Sequence, residues 1–148
     1  MGRIARFLGL STRDKTLLLR AAFLLSVARL GLYALSFERL RRLLAGFARA
    51  RGTTGDARQC DVSDRIVWAV ETASQALPGI GTCLTQALTV HVLLARNGIA
   101  SDLRIGVRRT SDGRFIAHAW LEKDAHVLIG EAGHKSYSPM PALNLLEP

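Results

Sequence analysis

The sequence predicts an α+β domain in which N-terminal helices precede a cysteine-bearing helix packed on an antiparallel sheet. Three observations carry this. Apolar residues recur at helical spacing as far as residue 96, the period changes to two from residue 103, and turn dipeptides separate the alternating runs. Helices followed by strands, rather than interleaved with them, is the α+β order. With 148 residues, 49% hydrophobic and 22% charged, the chain is one domain's worth with material for a core. That composition excludes a disordered tail, a collagen-like repeat and a disulfide-stapled miniprotein.

Residues 12–48 read as two helices. Thr12 is the expected cap of the first, which carries Leu17, Leu18, Ala21, Leu24, Leu25, Ala28 and Leu32 at helical spacing. Ser36 is the expected cap of the second, with Leu40, Leu43, Leu44 and Phe47 inward and Arg39, Arg41, Arg42 and Arg49 outward. Gly52 to Asp56 has the composition of a linker. Asp61 or Ser63 is expected to open a third helix, with Ile66, Val67 and Val70 on its apolar side, ending at Leu77-Pro78-Gly79. Thr82 is a natural N-cap for the fourth, which places Cys83 at the first helical position. This helix is apolar nearly all round and so is expected to be buried. Asn97-Gly98 closes it with a left-handed cap, and Ile99 supplies the apolar residue that follows such caps.

Leu103, Ile105 and Val107 then alternate with Arg104, Gly106 and Arg108 as a strand, and Asp112-Gly113 marks a hairpin turn. Phe115, Ala117, Ala119 and Leu121 alternate with Ile116, His118, Trp120 and Glu122 in a second strand. Asp124-Ala125 turns into a third, His126 to Gly130. The tail from Tyr137, with Pro139, Pro141 and Pro148, is expected to be irregular. The chain divides into a basic helical region, 1–55, and a core, 56–148.

Charge follows that division. Residues 1–58 hold twelve basic and three acidic side chains, a net +9, while residues 59–148 hold eight and nine, a net −1. Such asymmetry, with few interleaved aromatics, argues against a nucleic-acid interface across the chain. The basic residues read first as a solvated helix face, and otherwise as a docking surface for an acidic partner or anionic lipid. Leu17 to Leu35 is apolar, but Arg20 and Arg29 leave a longest charge-free run of eight residues. A span needs about 20 predominantly apolar residues, so a core or interface helix is the expectation rather than a transmembrane one, and membrane association stays open as the less favoured alternative. Two cysteines, Cys60 and Cys83, without a C-x-x-C pair suggest a reducing compartment, hence the cytoplasm, and nothing requires them to form a disulfide.

One constellation could carry chemistry. At a helix N-terminus the macrodipole and unsatisfied N–H groups favour a thiolate, and the same N–H groups can stabilise an oxyanion. Cys83 occupies that position, and Gly79 and Gly81 before it would let a substrate backbone approach. The plain alternative is a buried hydrophobic cysteine. His118 sits mid-strand between apolar residues, where it is either a structural histidine or the base that a cysteine nucleophile requires. Hairpin arithmetic through a two-residue Asp124-Ala125 turn sets Lys123 against His126 and, continuing, His118 against Glu131. A carboxylate there could orient the imidazole. Asp124 at the turn is the weaker alternative, about 20 Å along the strand from His118.

The order helix-cysteine, strand-histidine, next-strand-acid resembles the transglutaminase-like, papain-like cysteine enzymes. More narrowly, CLTQALTVHVLLARNGIASDLRIGVRR followed by FIAHAWLE resembles the leader peptidases of lasso-peptide biosynthesis. The resemblance runs from about Arg65 to Glu131 and extends weakly to the basic, apolar N-terminal helices. It implies Cys83 as nucleophile and His118 as base in a Cys-His-acid triad, with Glu131, or Asp124, standing where the family usually has aspartate. It implies no cofactor. Fused members carry an additional leader-binding domain, for which this chain is too short, so the resemblance implies the split form. A precursor peptide, a separate leader-recognition protein and a macrolactam-forming cyclase would then be its partners.

The competing readings are weaker. Cys60, Cys83, His91, His118, His126 and His134 show no finger-like metal spacing, and no Gly-rich phosphate loop occurs. His91 reads as structural, and His126 and His134 as exposed. A non-catalytic scaffold on the same fold remains, as does an acyltransferase that delivers the thioester to an amine.

Overall fold

The computed structural model describes residues 9–49, 55–131 and 134–141. Four helices, α1 (Thr12–Ala34), α2 (Phe37–Ala48), α3 (Asp56–Ala76) and α4 (Cys83–Arg96), precede strands β1 (Asp102–Arg109), β2 (Phe115–Lys123), β3 (His126–Ile129) and β4 (Ser138–Pro139). The strands form one antiparallel sheet in the order β3-β2-β1-β4. This is the α+β arrangement that the change of period implies.

Helix α4 is the centre of the molecule. An unbroken run from Ala87 to Leu94 is buried, including the polar Thr89 and His91. It packs against all three other helices and against β1, β2 and β3. Its all-round apolar sequence is what permits such enclosure. Leu25, Leu40, Ile66, Leu88, Leu94, Leu103 and Leu121 belong to one continuous core, so α1 and α2 are built into the same body as the sheet. Helix α4 ends as its sequence indicates. Gly98 N–H donates to Ala95 O and Ile99 N–H to Leu94 O, the Schellman pattern.

Four boundaries depart from the sequence reading. Ser11, not Thr12, caps α1, because its hydroxyl accepts from Asp14 N–H while Thr12 is already helical. Helix α3 opens at Asp56 rather than at Asp61 or Ser63. Its first turns (Ala57, Arg58, Gln59) are good helix formers without an apolar stripe, so periodicity misses them. Residues 52–54 of the expected linker lie outside the described residues, and Asp56 at its end is helical. The tail is not wholly irregular, because Ser138 and Pro139 pair with Val107 and Gly106. An edge position tolerates proline because no ladder bond needs its missing N–H.

A further departure, in the register of β3, decides the site. Asp124 and Ala125 both adopt positive φ, 50° and 63°, as a two-residue hairpin turn of the mirror type requires. Lys123 therefore faces His126 and Glu122 faces Val127, but Leu121 then faces Ile129 instead of Leu128. One residue is bulged out. Val127-Leu128-Ile129 is uniformly apolar, so no polar alternation fixes its register. The bulge lets Ile129 enter the core while Leu128 still packs against it.

Burial of α1 has a measurable consequence. Leu25→Ala removes a fully buried side chain and should destabilise the protein by about 2–5 kcal/mol in urea unfolding. A loss below about 1 kcal/mol would mean that α1 is not part of the core.

Candidate active site

Cys83 is positioned by its cap. Thr82 and Thr85 form a reciprocal capping box in which Thr82 Oγ1 accepts from Thr85 N–H and Thr85 Oγ1 accepts from Thr82 N–H at 2.9 Å. The Thr85 hydroxyl donates to Ile80 O at 2.7 Å, tying the preceding loop to the first turn. Gln86 N–H donates to Thr82 O. The Thr82 and Thr85 N–H groups at the helix start are thus satisfied, whereas no partner is found for the N–H of Cys83 or Leu84 among the described residues. Those two N–H groups are the donors left over for an external oxygen.

Gly81 serves the protein rather than a substrate. A Cβ there would lie 2.4 Å from Ser74 Cβ, and the Gln86 side-chain amide bridges Ser74 Oγ and Gly81 O at 3.1 Å each. The glycine therefore lets the loop lie directly on α3, a correction to the idea that it clears space for a peptide. The Cys83 thiol is free and half-buried, packed against the core from the helix side, while Cys60 is free and exposed.

His118 is held from β3. Its Nε2 lies 2.7 Å from Gly130 O. A carbonyl can only accept, so Nε2 carries the proton and Nδ1 presents the lone pair. The ring lies near Trp120, with centroids 6.1 Å apart and planes at 24°, and beside Tyr137 at 5.2 Å. Arg108 covers the other part of the Tyr137 ring at 5.1 Å. Trp120 Nε1 donates to Glu122 Oε1 at 2.7 Å, and Arg104 pairs with the same carboxylate. Tyr137 and the Gly130 carbonyl are the members that sequence reasoning missed. A backbone acceptor leaves no signature in side-chain identity, and Tyr137 is delivered by a strand of two residues.

The register does not bring the expected third member to His118. Continuing the bulged ladder would set Glu131 beside Ala119, on the opposite face from His118. Glu131 is exposed, and its backbone carbonyl accepts from His134 Nδ1 at 2.8 Å. Asp124 sits at the hairpin tip paired with Lys123 Nζ at 2.6 Å, which holds its carboxyl below the usual range. Neither carboxylate bonds His118. The orienting group on the imidazole is the carbonyl of the residue before Glu131.

Cys83 and His118 are carried by different elements, the N-terminus of α4 and the middle of β2. The faces differ, because Leu103, Ala119 and Leu121 point into the core against the helices while His118, one residue off, points to the other face. No hydrogen bond joins the thiol to the imidazole.

The remaining histidines take other roles. His91 is buried within α4, with Nδ1 2.9 Å from Ser101 Oγ. Burial pushes its pKa below 6.5, against a smaller opposing effect of Asp102. His126 is exposed, but His134 is half-buried against Trp120 at 5.9 Å, not free in solvent as expected. Among the described residues no three His, Cys, Asp or Glu side chains gather to hold a metal ion.

Two measurements follow from this geometry. In 15N NMR at neutral pH, His118 should show the Nε2–H tautomer, and Gly130→Ala should abolish that anchoring. Gly130 has φ 84°, and a Cβ there would meet Ala119 O at 2.7 Å. A His118 protonated on Nδ1 would contradict the arrangement. Separately, an imidazole kept neutral by burial binds its proton more readily once unfolded. Its contribution to stability is therefore complete above pH ~6.5 and is lost as pH falls toward the lower folded value. Urea midpoints should decline from pH 7.5 to 5.5, and less steeply in His91→Gln; equal slopes would remove His91 as the cause.

Comparison with known families agrees with the arrangement of helices and sheet. No curated protein and no solved structure matches the chain. The model of one family matches residues 23–142, from the middle of α1 to beyond β4. With most of its length covered by that match, the chain belongs to the transglutaminase-like superfamily.

Proposed function

We propose that this domain is a cysteine endopeptidase that removes the leader from a ribosomally made lasso-peptide precursor, with Cys83 as nucleophile and His118 as base. The observation that carries the chemistry is the complementarity of the two groups' free valences. Cys83 opens a capped helix beside two unpartnered N–H groups, and His118 has its Nε2 proton engaged by Gly130 O, leaving Nδ1 to accept. The finer assignment to leader removal rests on the sequence resemblance of the Cys83 helix and of the strand containing His-Ala-Trp.

The reaction runs in two halves. His118 Nδ1 takes the thiol proton and the Cys83 sulfur attacks the scissile carbonyl carbon. The N–H groups of Cys83 and Leu84 receive the oxyanion. Collapse expels the amine, which takes its proton from the imidazolium, and leaves a thioester on Cys83. Water then gives its proton to Nδ1 and attacks the thioester, releasing the leader's carboxyl end and restoring the thiol. Throughout, Gly130 O holds the Nε2 proton, so the ring keeps one tautomer without a carboxylate. The thiol and Nδ1 must come within about 3 Å for the first transfer, so in this reading the two groups are brought together when substrate binds. A leader-recognition protein delivers the precursor and a cyclase consumes the core peptide.

Cys83→Ala and His118→Ala should each lower precursor cleavage by roughly 10³-fold or more with unchanged thermal unfolding, and Cys83 should alkylate faster than Cys60 near neutral pH. Retained cleavage in Cys83→Ala would end the proposal. Glu131→Gln should keep cleavage within about threefold, because the carbonyl and not the carboxylate orients the ring; a loss of about 10²-fold or more would restore Glu131 as the acid.

A further inference from the structure

We propose that the outer face of α1 is a membrane-docking face that lies flat on an anionic phospholipid surface. The helix is apolar on both sides, and the protein covers only one of them. Ala21, Leu25 and Ala28 are fully buried against the rest of the core. On the opposite side Leu19, Phe23, Leu30 and Tyr33 are 64%, 57%, 69% and 78% exposed. At ~100° per residue these four fall within about 80° of one another, an apolar ridge along the helix in which Ser26 also falls, its hydroxyl donating back to Ala22 O at 2.9 Å. Phe23 meets the Phe47 ring edge-on at 5.9 Å, carrying the surface onto α2, where Leu43 is also exposed.

The charges flanking the ridge identify what it faces. By the same geometry Arg20 projects about 100° to one side of Leu19 and Arg29 about 80° to the other. Each margin therefore carries a cation, and Arg29 stacks over the Tyr33 ring at 4.9 Å. Asp14, the single acidic residue within α1, is bonded to Ser11 and Arg65 beside the helix start, away from the ridge. On the adjoining α2, Glu38 is bonded by Arg41 and Arg42. An apolar ridge entering the acyl boundary, with arginines extended from its margins to phosphate, is the arrangement of an interfacial helix. The helix does not cross the bilayer, because its other face is sealed under α3 and α4. The two arginines that count against a span are placed correctly for a helix lying in the interface plane.

The test is co-sedimentation of the full chain with phosphatidylcholine vesicles, with and without half phosphatidylglycerol. Binding should require the anionic lipid and weaken as salt is raised. Leu19→Gln with Leu30→Gln should weaken it by at least about tenfold, and Arg20→Gln by about fivefold. All these side chains are exposed, so circular dichroism and thermal unfolding should match wild type, and the Arg20 variant tests the idea should the double variant misfold. Three results would overturn it: no vesicle binding by the wild type, equal binding by the double variant, or a wild-type dimer in light scattering that the double variant dissociates. The last would assign the ridge to a second copy of the chain.

Discussion

The enclosure of α4 is the constraint on which the rest depends. A helix buried over most of its length must have its termini satisfied locally, because water is not at hand to do it. At its C-terminus the Gly98 cap does this with backbone bonds. At its N-terminus the Thr82–Thr85 box does it with hydroxyls for Thr82 and Thr85 and leaves the N–H groups of Cys83 and Leu84 open. Cys83 thus stands beside donors with polarity left to give, inside a loop that Thr85, Gln86 and Ser74 hold still. Stability and chemistry draw on the same few hydrogen bonds there.

The second determinant is the bulge in β3. A regular ladder would have offered Glu131 to His118; instead the demand of two successive apolar residues for the core shifts the strand by one. The carbonyl of Gly130 then reaches Nε2. A backbone acceptor orients an imidazole without contributing a full charge, so it fixes the tautomer while stabilising an imidazolium less than a carboxylate would. The stacked Trp120, Tyr137 and Arg108 add a rigid wall around the ring.

Legibility in the sequence tracked the locality of the signal. The cap at Thr82, the Asn97-Gly98-Ile99 stop, the Asp124-Ala125 turn and the alternation of β1 and β2 are each specified within a few residues, and each is found. The alternation even placed His118 with Trp120 and apart from Ala119. What escaped depends on remote partners. The bulge follows from competition between Leu128 and Ile129 for a core built by distant helices. The early start of α3 lies in residues with helix propensity but no apolar face. Strand β4 exists because β1 offers it an edge, and nothing within Ser138-Pro139 announces pairing.

The charge distribution acquires a physical reason from this geometry. A peptide carbonyl is neutral, so the proposed attack on one would have nothing to gain from a strong field, and residues 59–148 are close to neutral. The surplus of +9 in residues 1–58 is therefore free to act elsewhere. Within α1 it borders an apolar ridge that the fold leaves open, at the cost of exposing side chains that a purely structural helix would replace with polar ones. Retaining Leu19, Phe23, Leu30 and Tyr33 in water is unfavourable unless something removes them from it. With cations along both margins, that something carries negative charge.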